Sequence, residues 1–145
     1  MAITTAMCTS FKTELLGGLH DLDTDSLKVA LIKVSPAGTY GAASTNYSNI
    51  TDNSDEVSGT GYTAGGAVLD SPTITESGTT AYVDFADEVF STATISATGC
   101  MIYNTDNANA AIAVFDFGGT ITATAGDFTI VFPANDATNA VVRIG

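Results

Sequence analysis

The chain has 145 residues, of which 45% are hydrophobic and only 14% carry a charge, and its formal net charge is −12. That length suits one domain with a core of its own, and the apolar fraction argues against disorder. The four cations, Lys12, Lys28, Lys33 and Arg143, make no basic footprint among so many carboxylates, so nucleic acid is not an expected partner.

Thr, Ala, Gly, Ser and Asn dominate the remainder, a palette that fits pleated sheets and turns better than helices. The opening stretch MAITTAMCTSFKTELLGG lacks the basic and continuous apolar regions of a secretory signal. No apolar run approaches the roughly 18 residues of a membrane-spanning helix, so no membrane association is expected. Cys8 and Cys100 form no CxxC pair, and one histidine cannot complete a zinc site with them. They are read as reduced thiols.

One helix is predicted near the start, capped by Thr9 or Ser10, with Phe11, Leu15, Leu16 and Leu19 as its apolar stripe and Gly17-Gly18 as its end. His20 follows, where a helix dipole favours it. In DLDTD, Asp21, Asp23 and Asp25 match the first three ligands of a calcium loop. Ser26 and Ile32 stand where that loop needs Gly and Glu, so the stretch reads as a helix-to-strand turn. SLKVALIKV, residues 26–34, reads as a strand, with Leu27, Val29 and Leu31 on one face and Lys28, Ala30 and Ile32 on the other.

Residues 35–65 form a long polar stretch with little periodicity, expected to be a loop that a neighbouring chain orders. Its end, EVSGTGYTAGG, carries Gly59-x-Gly61-x-x-Ala64, a loose dinucleotide fingerprint. A working fingerprint needs a strand before it and a helix after it, and neither is present, so the glycines read as a bend. From residue 66 the chain beats at short intervals. Short strands are predicted in AVLDSPTIT, TTAYVDFAD, ATISATGCMIYN, AAIAVFDFGG, TITATAG, DFTIVFP and NAVVRIG, separated by turn residues such as Asn104–Asn107 and Gly118-Gly119. The expected fold is therefore mostly β: a single domain over 1–145, a β-sandwich or jelly-roll-like barrel with one short helix in an N-terminal segment 1–25.

Asp84, Asp87, Glu88 and Asp116 are the carboxylates closest to a paired acid–base arrangement. Without tryptophan, with scattered tyrosines and with no nucleophile motif, they do not make a case for catalysis, and an enzyme is not expected. No cofactor or metal is expected. The residues whose type and placement suit a protein interface are Ile3, Met7, Phe11, Tyr40, Tyr47, Tyr62 and Arg143, because aromatics and arginine anchor interfaces.

Five segments carry a resemblance over nearly the whole chain: MAITTAMCTSFKTELLGG, EVSGTGYTAGGAVL, SGTTAYVDFADEVF, FDFGGTITATAGDFTIVFP and DATNAVVRI. In these the chain resembles small virion structural proteins of tailed bacteriophages. The resemblance implies a head decoration, or cement, protein that binds the outside of the capsid and bridges copies of the major capsid protein. It implies self-association as a homotrimer, and residence on the virion after synthesis in the host cytoplasm. A neck or tail component is the alternative within that class. A carbohydrate-binding β-sandwich for host attachment is the alternative outside it.

Overall fold

The structure is a computed structural model, and it describes residues 2–145. Met1, the first residue of the expected domain, lies outside the described residues. In chain order the elements are β1 (Ala2–Ile3), β2 (Ala6–Met7), α1 (Thr9–Leu16), β3 (Leu27–Ile32), β4 (Thr39–Tyr40) and α2 (Ser48–Asp52). They continue as β5 (Ala67–Val68), β6 (Thr73–Ser77), β7 (Thr80–Asp84), β8 (Glu88–Asn104), β9 (Ala110–Ile130) and β10 (Val142–Ile144). The fold is mostly β and sandwich-like. A five-stranded sheet has the order β2-β9-β8-β3-β5, a three-stranded sheet the order β10-β7-β6, and β1 pairs in parallel with β4.

The short strands expected in AVLDSPTIT, TTAYVDFAD and NAVVRIG are present as β5, β6, β7 and β10, whereas the four expected between residues 93 and 133 are replaced by one long hairpin. β8 spans 17 residues and β9 spans 21, and they pair antiparallel nearly throughout. Gly118-Gly119 does not end a strand as the sequence suggested. Gly118 takes φ 79° and the ladder continues past it. Extra residues are absorbed as register shifts, for example between Phe90 and Ala93, where Thr92 takes φ 49°. Such irregularities bend a strand without stopping it. The expected turn after Asn104 does form the hairpin loop, with Asn107 N–H donating to Asn104 O at 3.3 Å.

The ladder has two halves with different sequence patterns. Near the hairpin loop, Gly99–Asn104 and Ala110–Val114 are buried almost without a break, as in strands covered on both faces. Farther out the pattern alternates, with Phe90, Ala93 and Ile95 of β8 and Ala123, Phe128 and Ile130 of β9 inside. β3 lies against the continuous half, and its Val29, Ala30, Leu31 and Ile32 are all inaccessible. The expected two-face alternation of β3 is thus a strand buried on both sides.

Two expectations about helices change. A second helix, α2, folds inside the 35–65 stretch and buries Ile50. α1 is preceded by Cys8, with no side-chain cap from Thr9 or Ser10. Of its apolar stripe only Phe11 is fully buried, whereas Leu16 is 92% and Leu19 56% exposed.

Gly66 ties the segment leading into β5 onto β3. It takes φ +81°, and a Cβ placed there would lie 1.7 Å from the Val29 carbonyl oxygen. Gly78, in the β6–β7 turn, has φ +61° but open space around it. Gly78→Ala should therefore cost only the left-handed backbone penalty, about 1–2 kcal/mol. Gly66→Ala adds overpacking of about 1–3 kcal/mol. Chemical denaturation of the two variants should show the larger loss at Gly66.

Candidate interaction surface

Two consecutive carboxylates organise the 35–65 stretch from within. Asp55 is inaccessible to solvent. It accepts hydrogen bonds from the Tyr40 hydroxyl at 2.5 Å and the Ala37 and Gly38 amides at 2.9 and 2.8 Å, and Lys33 Nζ lies 3.2 Å away. Burial alone would raise its pKa, but these donors outweigh it and hold the carboxyl at about 2. Burial in turn pushes the Tyr40 hydroxyl up to about 12, with Asp55 adding to the rise. Glu56 accepts from the Tyr47 hydroxyl at 2.5 Å, the Tyr62 hydroxyl at 2.7 Å and the Gly65 amide at 2.6 Å. Tyr47 also stacks on Tyr103, with ring centroids 4.6 Å apart.

This network relocates several expected interface residues. Phe11, Tyr40 and Tyr62 are 0%, 1% and 9% exposed, so they are core residues and offer no surface to a partner in this conformation. Tyr47 and Ile3 are half-buried and packed on the core. The 35–65 stretch, expected to need a neighbour to order it, is ordered by its own chain. The glycine-rich bend is explained as well. Gly59 and Gly61 approach Thr94 and Ala93 of β8, and the Gly65 amide that follows them donates to Glu56.

The other polar candidates have structural partners. Asp21 caps its own turn, accepting from the Asp23 and Thr24 amides at 3.1 and 3.2 Å. Asp25 accepts from Asn104 Nδ2 at 2.7 Å. His20 is not an exposed helix-end residue. It is 7% exposed, lies against the Phe11 ring, and its Nδ1 sits 3.0 Å from Asn104 Nδ2. Its Nε2 lies 3.5 Å from both Asn107 Nδ2 and Glu14 Oε1. Asp116 is exposed on β9. Burial raises the Asp84 carboxyl, with Asp87 adding to it, and burial raises Glu88, with Asp70 adding to it. Cys8 and Cys100 are buried free thiols, pushed up to about 11 and 12 by burial. Among the described residues no group of three or more His, Cys, Asp or Glu is placed to hold a metal, and no helix is long and apolar enough to cross a membrane.

What the surface does present is apolar. Leu16 and Leu19 stand out from α1 and the turn after it, and Ile74 of β6 and Ile144 of β10 are 52% and 53% exposed. Ile74 and Ile144 line a groove of about 390 Å³, walled also by Leu15, Leu22, Tyr82, Val83 and Val142. It shares Leu15 and Ile144 with a second cavity of about 400 Å³, which Met7, Lys12, Leu16 and Arg143 also line. Met7 and Arg143 are thus the two expected interface residues that the fold brings together. Leu16, Leu19, Ile74 and Ile144 were missed by type-based selection. The available signal was geometric: consecutive Leu15 and Leu16 diverge by about 100° on a helix, so an eight-residue helix cannot bury both against one sheet. Comparison with protein-family models, with curated proteins and with solved structures finds no match.

Asp55 gives a pH prediction with a definite sign. Its folded-state pKa is depressed, so its contribution is complete above the unfolded value near 3.8 and is lost as pH falls toward 2. Asp55→Asn should cost about 1–3 kcal/mol at pH 7, the range for leaving buried hydrogen-bond donors without their charged acceptor, and progressively less below pH 4. Denaturation midpoints measured at several pH values check this. Asp84 has the opposite sign: its raised pKa makes the charged form unfavourable, so Asp84→Asn should stabilise the fold at pH 7 and lose that advantage at pH 3.

Proposed function

We propose that this chain is a virion structural protein of a tailed bacteriophage, acting as a head decoration protein that cements neighbouring copies of the major capsid protein. The observation that carries the reading is the apolar groove lined by the exposed Ile74 and Ile144, which shares Leu15 and Ile144 with a second cavity lined by the exposed Leu16. Scattered exposed apolar residues are ordinary, but a joined patch beside a groove marks a place where another protein binds. The rest of the chain is strongly acidic, which keeps it soluble until that surface is covered.

The work of a cement protein is buried area. A standard interface removes about 1,200–2,000 Å² from water, and repeating it over a shell adds up to resistance against internal pressure. Self-association as a homotrimer would set such surfaces around a symmetry axis. The resemblance of the N-terminal, central and C-terminal segments to phage virion proteins supports the same reading, and residence on the capsid surface follows from it.

The test is a cryo-EM map of the particle that carries this chain. Density at the threefold positions of the head supports the cement role. Density confined to the unique vertex or the tail transfers the chain to the neck or tail. A paired variant, Leu16→Asp with Ile144→Asp, should fold with its denaturation midpoint little changed, because both side chains already face solvent. It should be depleted from purified particles, and incorporation at the normal level would remove the apolar surface from the mechanism.

A further inference from the structure

We propose that the open edge of β6 in one copy of this chain pairs with the open edge of β9, at residues 120–124, in the next copy, joining copies head to tail into a closed ring. The inference rests on the self-association proposed above and names the surfaces that make it.

Two sheets end on unpaired strand edges. β6 is the last strand of the three-stranded sheet and pairs only with β7. β9 has β8 along one side, but β2 covers its other side only at Ala113 and Val114. Alternate residues of a paired strand turn their N–H and C=O to the far side. Among the described residues, no backbone group of another segment meets residues 73–77 or 120–124 on that side. All five residues of β6 are exposed, and so are residues 118–122 and 124. Neither edge carries the lysine or proline that commonly guards one.

The two edges match. Each holds a Thr-Ile-Thr run, Thr73-Ile74-Thr75 and Thr120-Ile121-Thr122. Ile74 lies opposite Val83 of β7, and Ile121 lies opposite Ala97 of β8. Directly opposed residues share a face of the sheet. Val83 and Ala97 are buried, so both isoleucines stand on the core side of their sheets, yet they are 52% and 48% exposed. The core face therefore runs out half-covered at each edge. An added strand with an isoleucine on that face would complete it, and each edge brings one to the other.

Charge and symmetry select a second copy. The chain has a net charge of −12, but no charged residue falls between Asp116 and Asp127, and β6 carries only Glu76. Two copies can meet at these edges without setting carboxylates against each other. A twofold contact through either edge would leave the other open. A β6-to-β9 contact satisfies both edges in every copy and closes as a cyclic oligomer. β10 lies on the other side of β7 from β6, so the Ile144 end of the groove is left to the capsid protein.

The experiment mixes two variants of the full chain, Ile74→Cys and Ile121→Cys, under mild oxidation and maps the disulfides by peptide mass spectrometry. The native thiols are buried and stay out of the reaction. A bond joining position 74 of one copy to position 121 of another is expected, in a species that sediments as a trimer. Ile74→Asp and Ile121→Asp each set a charge on one edge. Each should weaken association roughly tenfold or more while the circular-dichroism spectrum stays that of the folded chain. Bonds only between like positions, no 74–121 bond, a chain that stays monomeric, or association indifferent to both aspartates would overturn the proposal. A trimer without the 74–121 bond removes the strand pairing and keeps the self-association. Particle density is read separately, so the cement role stands or falls by itself.

Discussion

Each half of the β8–β9 ladder holds a different neighbour, and that division of labour governs the rest of the molecule. The half nearest the hairpin loop is covered on both faces and carries β3 on one edge and β2 on the other. The outer half buries one face only, where Phe90 meets Tyr62 and Phe128 meets Phe117. Phe85 and Phe132, at the entry to β8 and the exit from β9, close the far end against each other. Removing the ladder would leave strands of two to six residues, too short to pair stably by themselves. The hairpin is thus the frame, and the loops and small sheets are fitted to it.

The 35–65 stretch shows how polar chemistry substitutes for periodicity. A strand or helix satisfies its backbone by its own ladder, but this stretch has only β4 and α2. Asp55 and Glu56 take over, turning to opposite sides and between them binding three tyrosine hydroxyls and three backbone amides. A buried carboxylate is tolerable only when its lone pairs are filled and a cation stands close, and Lys33 is that cation for Asp55. Three tyrosines that look like surface anchors by residue type are therefore spent on internal satisfaction, and the apolar residues left outside are aliphatic.

Much of the fold was legible because burial leaves a period in the sequence. Val83 and Phe85 and the Phe128–Ile130–Phe132 alternation are written as apolar residues at every second position, and they are buried as that pattern implies. The long hairpin was not legible. Gly118-Gly119 is equally good as a turn or as a bulge, and the choice depends on a partner strand more than fifteen residues away in the chain. α2 is only five residues long, below the length at which helical spacing can be recognised. The surface candidates failed for a related reason. Residue type says that a tyrosine can anchor an interface, but only the fold says whether its hydroxyl is already claimed, as at Tyr40. Met7 and Arg143 line cavities at the surface, although Met7, like Ile3, is partly buried against the core.

The tyrosine arrangement has an optical consequence. The chain contains five tyrosines and no tryptophan, so its ultraviolet emission comes from tyrosine alone. Tyr40, Tyr47 and Tyr62 each donate to a carboxylate, and Tyr103 donates to the Gly65 carbonyl at 2.5 Å. Hydrogen bonding of an excited phenol to such an acceptor opens a proton-transfer route that quenches its light. The folded chain should be dim, with Tyr82 on the groove wall as its principal emitter. Brightening would report the release of the Asp55–Glu56 network, while a change confined to Tyr82 would report what enters the groove. Two events in different parts of the molecule would thus be read in one spectrum without any label.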